Sequence, residues 1–408
     1  MGEKMKIMFY GDNIYESTGY ARQAREFIKR FKEQNKDDHL YYLGDTFGTI
    51  PEHIQETDEN ITFLTNIPSR GSIPFIKHLT AYLFFYKPDV FFIIGNGMIR
   101  KDMDNLMSID FKNYSPKTKI VFYSFVEGEF LPTGDKEFSK FCDKVIPSSK
   151  FTKYQYERDN ISTTDHIYPG VDKKMFYRLS NKEIREAKKR LGYNKNDKII
   201  FSYGRVNSRK NIRNLIGAAY KHGNKNNVKF LFHFLDYHKL PALDMADYID
   251  RICPMKYGKK PYDKYIKFTH DIVTDNELVT MMNIADLTIF PTYGEGFGFG
   301  LVESMYCGSP LMASNSSTIP EIVKNYGIQM KCNEYKEANF NSYMRGPDDK
   351  LILKYIENFV EPGKNNNGDD ITFEENVEFW RKKALEFREE QDYSWDDWFN
   401  KLIKEIKN

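Results

Sequence analysis

The sequence predicts a two-domain α/β protein in which each domain carries a parallel sheet with crossover helices. Three observations lead there. At 408 residues the chain is longer than one core usually supports. Residues 5–170 alternate strand-length apolar runs, rich in Ile, Val, Phe and Tyr, with segments of helical period, as buried parallel strands with crossover helices do. The same alternation restarts after a charged, helix-prone connection at residues 173–197.

The first half reads in order as MKIMFYG, a helix from Tyr20 to Phe31, HLYYLG, NITFL, a helix near Pro74 to Phe85, DVFFII, KIVFYSF and DKVIPSS. The second half reads as KIIFSYG, VKFLFHFL, YIKFTHD, ADLTIFP and PLMAS, separated by helical segments around Asn211–Tyr220, Leu243–Ile252, Asn276–Met282 and Leu301–Cys307. Each half is Rossmann-like. GKNNNGDD at Gly363–Asp370 reads as a low-complexity loop, ITFEENVEFWRKKALEFREEQ after it as an amphipathic helix, and YSWDDWFNKLIKEI as the last helix.

Composition narrows the function class. Apolar residues at 40%, with 32 phenylalanines and 28 tyrosines, are enough for real cores. The net charge is +2, from 60 basic and 58 acidic residues, so no whole-chain field draws the protein onto nucleic acid or anionic lipid. No apolar run approaches the roughly 18 residues of a membrane span, and MGEKMKIMFYGD leads straight into a strand, so neither span nor leader is expected. Cys142, Cys253, Cys307 and Cys332 lie far apart without metal-ligand or redox-pair spacing. They read as core thiols of a cytoplasmic protein.

The chemistry concentrates in PTYGEGFGFGLVESMYCGSP, Pro291 to Pro310, where a strand turns into a helix through GEGFGFG. Glycines let backbone N–H groups approach an anion closely, and the helix N-terminus adds its positive end, which suits phosphate. Carboxylates instead accept paired hydrogen bonds from the vicinal hydroxyls of sugars and ribose. Glu295 in the turn and Glu303 in the first helical turn are therefore each assigned one sugar ring. The plainer alternative is a tight strand-to-helix turn with Glu303 favouring a helix N-terminus. A second stretch, IIFSYGRVNSRKNIRNLI, ends a strand at Tyr203 and Gly204 and then offers Arg205 and Lys210 ahead of a helix. Two cations there would neutralise a diphosphate, the alternative being two solvated surface charges.

Gly204-Arg205 with Lys210 five positions after the arginine, and Glu295 with seven residues intervening before Glu303, resemble the retaining GT-B glycosyltransferases of family 4. STGYAR at Ser17–Arg22, PGVD at Pro169–Asp172, NELVTMMNIADLTIFPT at Asn276–Thr292 and YSWDDW at Tyr393–Trp398 match in order, so the resemblance covers nearly the whole chain. It implies two Rossmann-like domains facing across a cleft. Residues 1–172 would form the acceptor domain and 173–392 the nucleotide-sugar domain, with the helix at 393–408 crossing back onto the first. The implied reaction moves a hexose, glucose first, from a UDP-sugar to a hydroxyl of a glycan, lipid or small molecule. Metal and cofactor are not expected, the nucleotide sugar being a co-substrate.

By the same resemblance Arg205 and Lys210 hold the diphosphate and stabilise the leaving nucleotide. Glu303 binds ribose and Glu295 the hexose, with the backbone N–H groups of Phe297 and Gly298 on the sugar and Leu301 among the donor-binding residues. Gly19 sits at the first strand-to-helix turn, where backbone approaches phosphate, although it also reads as an ordinary turn glycine; Gly204 joins Arg205 among the donor-binding residues. Ile272, in HDIVTD at His270–Asp275, faces the base. Retention through front-face attack, with the departing phosphate helping to deprotonate the acceptor, needs no protein nucleophile. Many relatives carry a histidine after the strand that reads KIVFYSF here, where this chain continues VEGEF. Glu127, nearer the strand end than Glu129, takes that place in a catalytic set of Arg205, Lys210, Glu295 and Glu127; the alternative is two solvated loop glutamates.

Other signals read more plainly. Asp102-Met103-Asp104 matches the DxD tripeptide by which the other glycosyltransferase fold holds a divalent metal, but reads more plainly as acidic residues at a helix start; with His166, His233, His238 and His270 lacking ligand spacing, no metal site is expected. Trp395 and Trp398, three apart on one helical face, read as packing anchors. KYGKKPYDKYIK at Lys256–Lys267 interleaves lysines with tyrosines and keeps open a second acceptor, hydroxymethylated bases of DNA as used by some viral glycosyltransferases. The missing histidine keeps open a non-catalytic nucleotide-sugar binding protein, and a sugar-nucleotide epimerase on the same fold is weaker because the glutamate pair points to transfer.

Overall fold

The computed structural model describes residues 4–16, 18–45, 57–58, 60–64, 73–95, 109, 111–235, 264–269, 273–338, 342–364 and 369–408. The chain forms two units. One comprises Met1–Gly170, Glu337–Ser342 and Tyr393–Asn408, the other Val171–Lys336 and Tyr343–Asp392.

The first unit runs β1 (Lys6–Asp12), α1 (Gly19–Gln34), β2 (His39–Asp45), β3 (Thr57–Asp58), β4 (Ile61–Phe63), α2 (Ile73–Tyr86), β5 (Val90–Gly95), a helical turn at Phe111–Tyr114, β6 (Lys119–Ser124), α3 (Thr133–Ser139), β7 (Lys144–Pro147) and α4 (Lys150–Arg158). Its sheet has the order β3-β4-β2-β1-β5-β6-β7 and is parallel except for the two-residue β3, which pairs antiparallel with β4. The central strands β1, β5 and β6 are buried along most of their length, as parallel strands covered on both faces are: Met8, Phe9, Phe91, Phe92 and Phe122 are fully buried. In α1 the buried Ala21, Ala24, Phe27 and Phe31 recur at helical spacing. Thr18 caps it, its hydroxyl accepting the Ala21 N–H at 2.9 Å and donating to Asp12 Oδ2 at 2.6 Å.

The second unit runs α5 (Asn181–Arg190), β8 (Lys198–Arg205), a 3₁₀ turn (Ser208–Lys210), α6 (Ile212–His222), β9 (Val228–Leu235), β10 (Ile266–Thr269), α7 (Asp275–Ile284), β11 (Leu287–Phe290), α8 (Phe299–Tyr306), β12 (Leu311–Ser314), α9 (Ile319–Val323), β13 (Ile328–Met330), the two-stranded β14 (Glu334–Ala338) and β15 (Ser342–Gly346), α10 (Asp349–Val360) and α11 (Phe373–Glu390). Its main sheet is parallel in the order β10-β9-β8-β11-β12-β13. From β8 the chain builds outward to β10 on one side and then returns to lay β11, β12 and β13 on the other. The strand order therefore reverses between β8 and β11, and the loops leaving their carboxyl ends pack against each other there. In open parallel sheets that is where ligands bind.

The last helix, α12 (Trp395–Lys407), belongs to the first unit. Trp398 and Phe399 pack edge-on against Phe27, and the Trp398 Nε1–H donates to the Tyr123 hydroxyl at 3.2 Å. Trp395 and Trp398 are both buried, as packing anchors are. The thiols are less uniform than expected: Cys307 is buried, Cys142 and Cys332 only partly. Burial pushes all three thiols up from their ordinary range. No helix among the described residues is long and apolar enough to cross a membrane. The Lys256–Lys267 patch up to residue 263, the Asp102–Asp104 tripeptide, the Leu243–Ile252 helix, His238 and His270 lie outside the described residues.

Candidate active site

The site is assembled at the switch point of the second unit from the segments that follow β8 and β11. β8 extends through Arg205, one residue beyond the expected strand end, because it stays in register with β9 from Lys198↔Val228 to Arg205↔Leu235. Gly204 near that end has φ 144°, a backbone that side chains rarely adopt. Asn207 caps the 3₁₀ turn, its side-chain oxygen accepting the Lys210 N–H at 3.1 Å. Asn211 then takes a left-handed conformation, φ 57°, and its buried amide donates to the carbonyls of Pro291 at 2.9 Å and Pro347 at 2.8 Å.

Glu295 lies at the centre of the β11 turn, 7% exposed. Arg209 Nη1 lies 2.7 Å from its Oε2 and Lys210 Nζ 2.6 Å from its Oε1, so each carboxylate oxygen meets one cation. Burial taken alone raises this carboxyl, but the charges of Arg209 and Lys210 and their hydrogen bonds outweigh it and hold the group down at about 2. The turn is fastened from two more sides. Arg209 also donates to the Gly294 carbonyl, and its own carbonyl accepts the Tyr293 N–H at 2.8 Å. Ser317, after β12, accepts the Glu295 N–H at 2.8 Å, and Thr318 donates to the Gly296 carbonyl at 3.1 Å.

Gly298, with φ 89°, is the N-cap of α8, and a side chain there would put Cβ 2.6 Å from Leu301 Cδ1. Phe297 and Leu301 are buried, Phe297 edge-on to Phe299. The helix starts at Phe299, directly after the left-handed Gly298 and two residues ahead of the expected Leu301, so Glu303 is the fifth helical residue and lies in the second turn, not the first as expected. A dipole role at the helix N-terminus falls away with that placement. Glu303 is 2% exposed, and its Oε2 accepts the Tyr203 hydroxyl at 2.6 Å. A Cβ on Gly300 would fall 2.9 Å from Phe290 Cζ and 3.1 Å from that hydroxyl, so the absent side chain makes room for the pair.

Gly204, Arg205, Lys210, Glu295, Phe297, Gly298, Leu301 and Glu303 thus all belong to the end of β8, the turns and the helix around the β8–β11 switch point. Gly19 and Glu127 belong to the first unit. Gly19 is the exposed first residue of α1, and Glu127 is 8% exposed in the loop after β6, so it is not the solvated loop glutamate of the plainer reading. Ile272 lies outside the described residues. The sequence reading missed Arg209, Tyr203 and Ser317. Arg209 adjoins Lys210 in the sequence, but its bearing on a residue 86 positions away appears only when the turns pack. Among the described residues no three His, Cys, Asp or Glu side chains are grouped to hold a metal ion.

Comparison with known proteins agrees with this geometry. The family model for glycosyl transferases group 1 matches residues 183–345, the span that holds both cations and both glutamates. An uncharacterized glycosyltransferase of Methanocaldococcus jannaschii, MJ1607, is 27% identical over 160 residues, 39% of this chain and 38% of that protein. The chain thus aligns with well under half of that relative's length. The serotype-specific mannosyltransferase WbdA of Escherichia coli is 37% identical over 51 residues, 12% of this chain and 6% of WbdA. Over nearly whole chains, 99% and 100%, the fold matches Anabaena Alr3699/HepE, solved in complex with UDP and glucose, at a TM-score of 0.67 and 15% identity. Residues 183–345 are thus similar to the group 1 glycosyl transferases, and the chain with its two Rossmann-like units has the GT-B fold.

Proposed function

We propose that this chain is a retaining hexosyltransferase whose second unit binds a nucleotide diphosphate sugar, UDP-glucose being the first candidate, and delivers the hexose to a hydroxyl acceptor. The observation that carries the reading is the buried, ionised Glu295 held between Arg209 and Lys210 in a glycine turn, with Glu303 on the helix behind it. An ionised carboxylate only accepts hydrogen bonds, and vicinal sugar hydroxyls supply such donors in pairs. Arg205 and Lys210, beside the end of β8, are assigned to the diphosphate. There they offset the charge that develops as the nucleotide departs. Glu303, its Oε2 already bonded to Tyr203, is assigned to ribose. Glucose as the hexose leans on the HepE complex, and the WbdA likeness makes a mannosyl donor the second arm.

Glu127 is proposed to stand in for the histidine of many relatives, as a polar contact to donor sugar or acceptor. Transfer without a metal is part of the same proposal. The chemical work is then positioning and leaving-group stabilisation, terms of several kcal/mol each.

The test is nucleotide release by purified protein across a panel of UDP-, GDP- and ADP-sugars with EDTA present, run with glycan acceptors and with hydroxymethylated DNA. Wild type is expected to release one nucleotide. Lys210→Ala should lower that rate by about 100-fold, as loss of a transition-state contact does. Glu303→Gln should chiefly raise the KM for the donor. Donor binding with no turnover under every acceptor condition would instead identify a binding protein.

A further inference from the structure

We propose that Arg209 is a positioning residue for the donor sugar: it holds the Glu295 carboxylate in place as a built-in part of the turn, and is not a ligand of the diphosphate. The inference rests on the reading of Glu295 as the hexose contact. Its basis is the unequal way in which the two cations are tied. Arg209 Nη1 bridges the Gly294 carbonyl and Glu295 Oε2, so one group fixes both the backbone of the turn and its carboxylate. The Arg209 carbonyl accepts the Tyr293 N–H at 2.8 Å, and Asn211 two residues on clamps the Pro291 carbonyl at 2.9 Å. The arginine therefore belongs to the seam between the β8 and β11 loops.

Lys210 reaches the other carboxylate oxygen by a flexible four-carbon stem and is the more exposed of the two side chains, 23% against 16%. An ammonium carries three rotatable donors, so it can serve Glu295 and a phosphate oxygen together. As a diphosphate draws on that charge, Arg209 is the cation that keeps Glu295 ionised and aimed. Among the described residues, the cations bonded to Glu295 are these two, both from the turn after β8, and from the β12 side Ser317 bonds its backbone. Lys210 thereby acts on the leaving group and Arg209 on the seat of the sugar.

Two readouts test this on the full chain. The first is carboxyl carbon NMR of glutamate-labelled protein, with Glu295→Gln identifying the Glu295 signal. In Arg209→Gln its titration midpoint should rise by at least about 1 pH unit, and Arg209→Lys should restore most of the difference. The second is the affinity for UDP against UDP-glucose. Arg209→Gln should leave UDP binding within about threefold and weaken UDP-glucose binding by about tenfold or more, as loss of one partner of a buried charge pair does. An unmoved midpoint overturns the proposal, and so does equal loss of UDP and UDP-glucose binding, which would make Arg209 a phosphate ligand. If wild type binds neither probe, the donor reading fails, and the NMR titration alone upholds or overturns the hold of Arg209 on Glu295.

Discussion

A carboxylate shielded from water costs several kcal/mol unless it is paired and hydrogen-bonded. Glu295 meets that condition with one cation per oxygen, and the same pairing has a consequence for stability. Its folded carboxyl lies at about 2, below the ordinary 4.5. A group depressed in the folded state stabilises fully above its unfolded value and loses that contribution as pH falls through the folded one. The ion pair should thus supply about 3 kcal/mol above about pH 5 and lose it progressively towards pH 2. Denaturant unfolding of wild type and Glu295→Gln across pH 2–7 checks this: the wild-type curve should fall more steeply in that window. Parallel curves would show that Glu295 is not held ionised by its two neighbours.

At the scale of the element, α8 is positioned by glycine conformation as much as by its apolar face. Gly298 at φ 89° turns the chain so that the helix starts at Phe299, which puts Glu303 in its second turn, bonded to Tyr203 on β8. Gly298→Ala imposes both a strained backbone and a Cβ 2.6 Å from Leu301 Cδ1. It should cost about 1–3 kcal/mol of stability and weaken donor binding as well. Chemical denaturation paired with a donor titration measures both, and wild-type values in each would remove the turn geometry from the account. β8 and β11 make the complementary contribution. Their adjacency at the reversal of strand order is what lets a cation loop and a carboxylate loop face one crevice.

For the molecule as a whole, each unit keeps its own core. The C-terminal helix is part of the first: Trp398 is 1% exposed, bonded to Tyr123 and packed on Phe27. Around it, Arg30 pairs with Asp396 at 2.7 Å and Lys144 with Glu405 at 3.1 Å. Gly170 lies so close to Trp395 that an added Cβ would meet its ring at 2.4 Å. Trp398→Ala should therefore destabilise the first unit by about 3–5 kcal/mol, read from thermal and denaturant unfolding. The affinity for nucleotide, assigned to residues of the second unit, should change less than about threefold, since Trp398 packs within the core of the first. A large loss of affinity with unchanged unfolding would contradict both halves of this assignment.

The strands and most helices of both units were legible in the sequence because buried parallel strands must be apolar throughout, and crossover helices must keep a periodic apolar face. Elements whose signal is short or mixed were not: β13, the β14–β15 pair and α10 escaped, although Ile352, Ile356 and Phe359 of α10 are buried at helical spacing. Of the site, the residue types and spacings of Arg205, Lys210, Glu295 and Glu303 were visible, since glycine turns and charged residues at strand ends leave local marks. Sequence spacing alone carried no trace of Arg209 closing on Glu295 or of Tyr203 on Glu303, pairs 86 and 100 residues apart. The sequence by itself determined two parallel sheets and a cation–glutamate constellation at the strand ends of the second. Only the tertiary structure decided which cation meets which oxygen, because that depends on the register of β8 against β11 and on the left-handed turns that follow them.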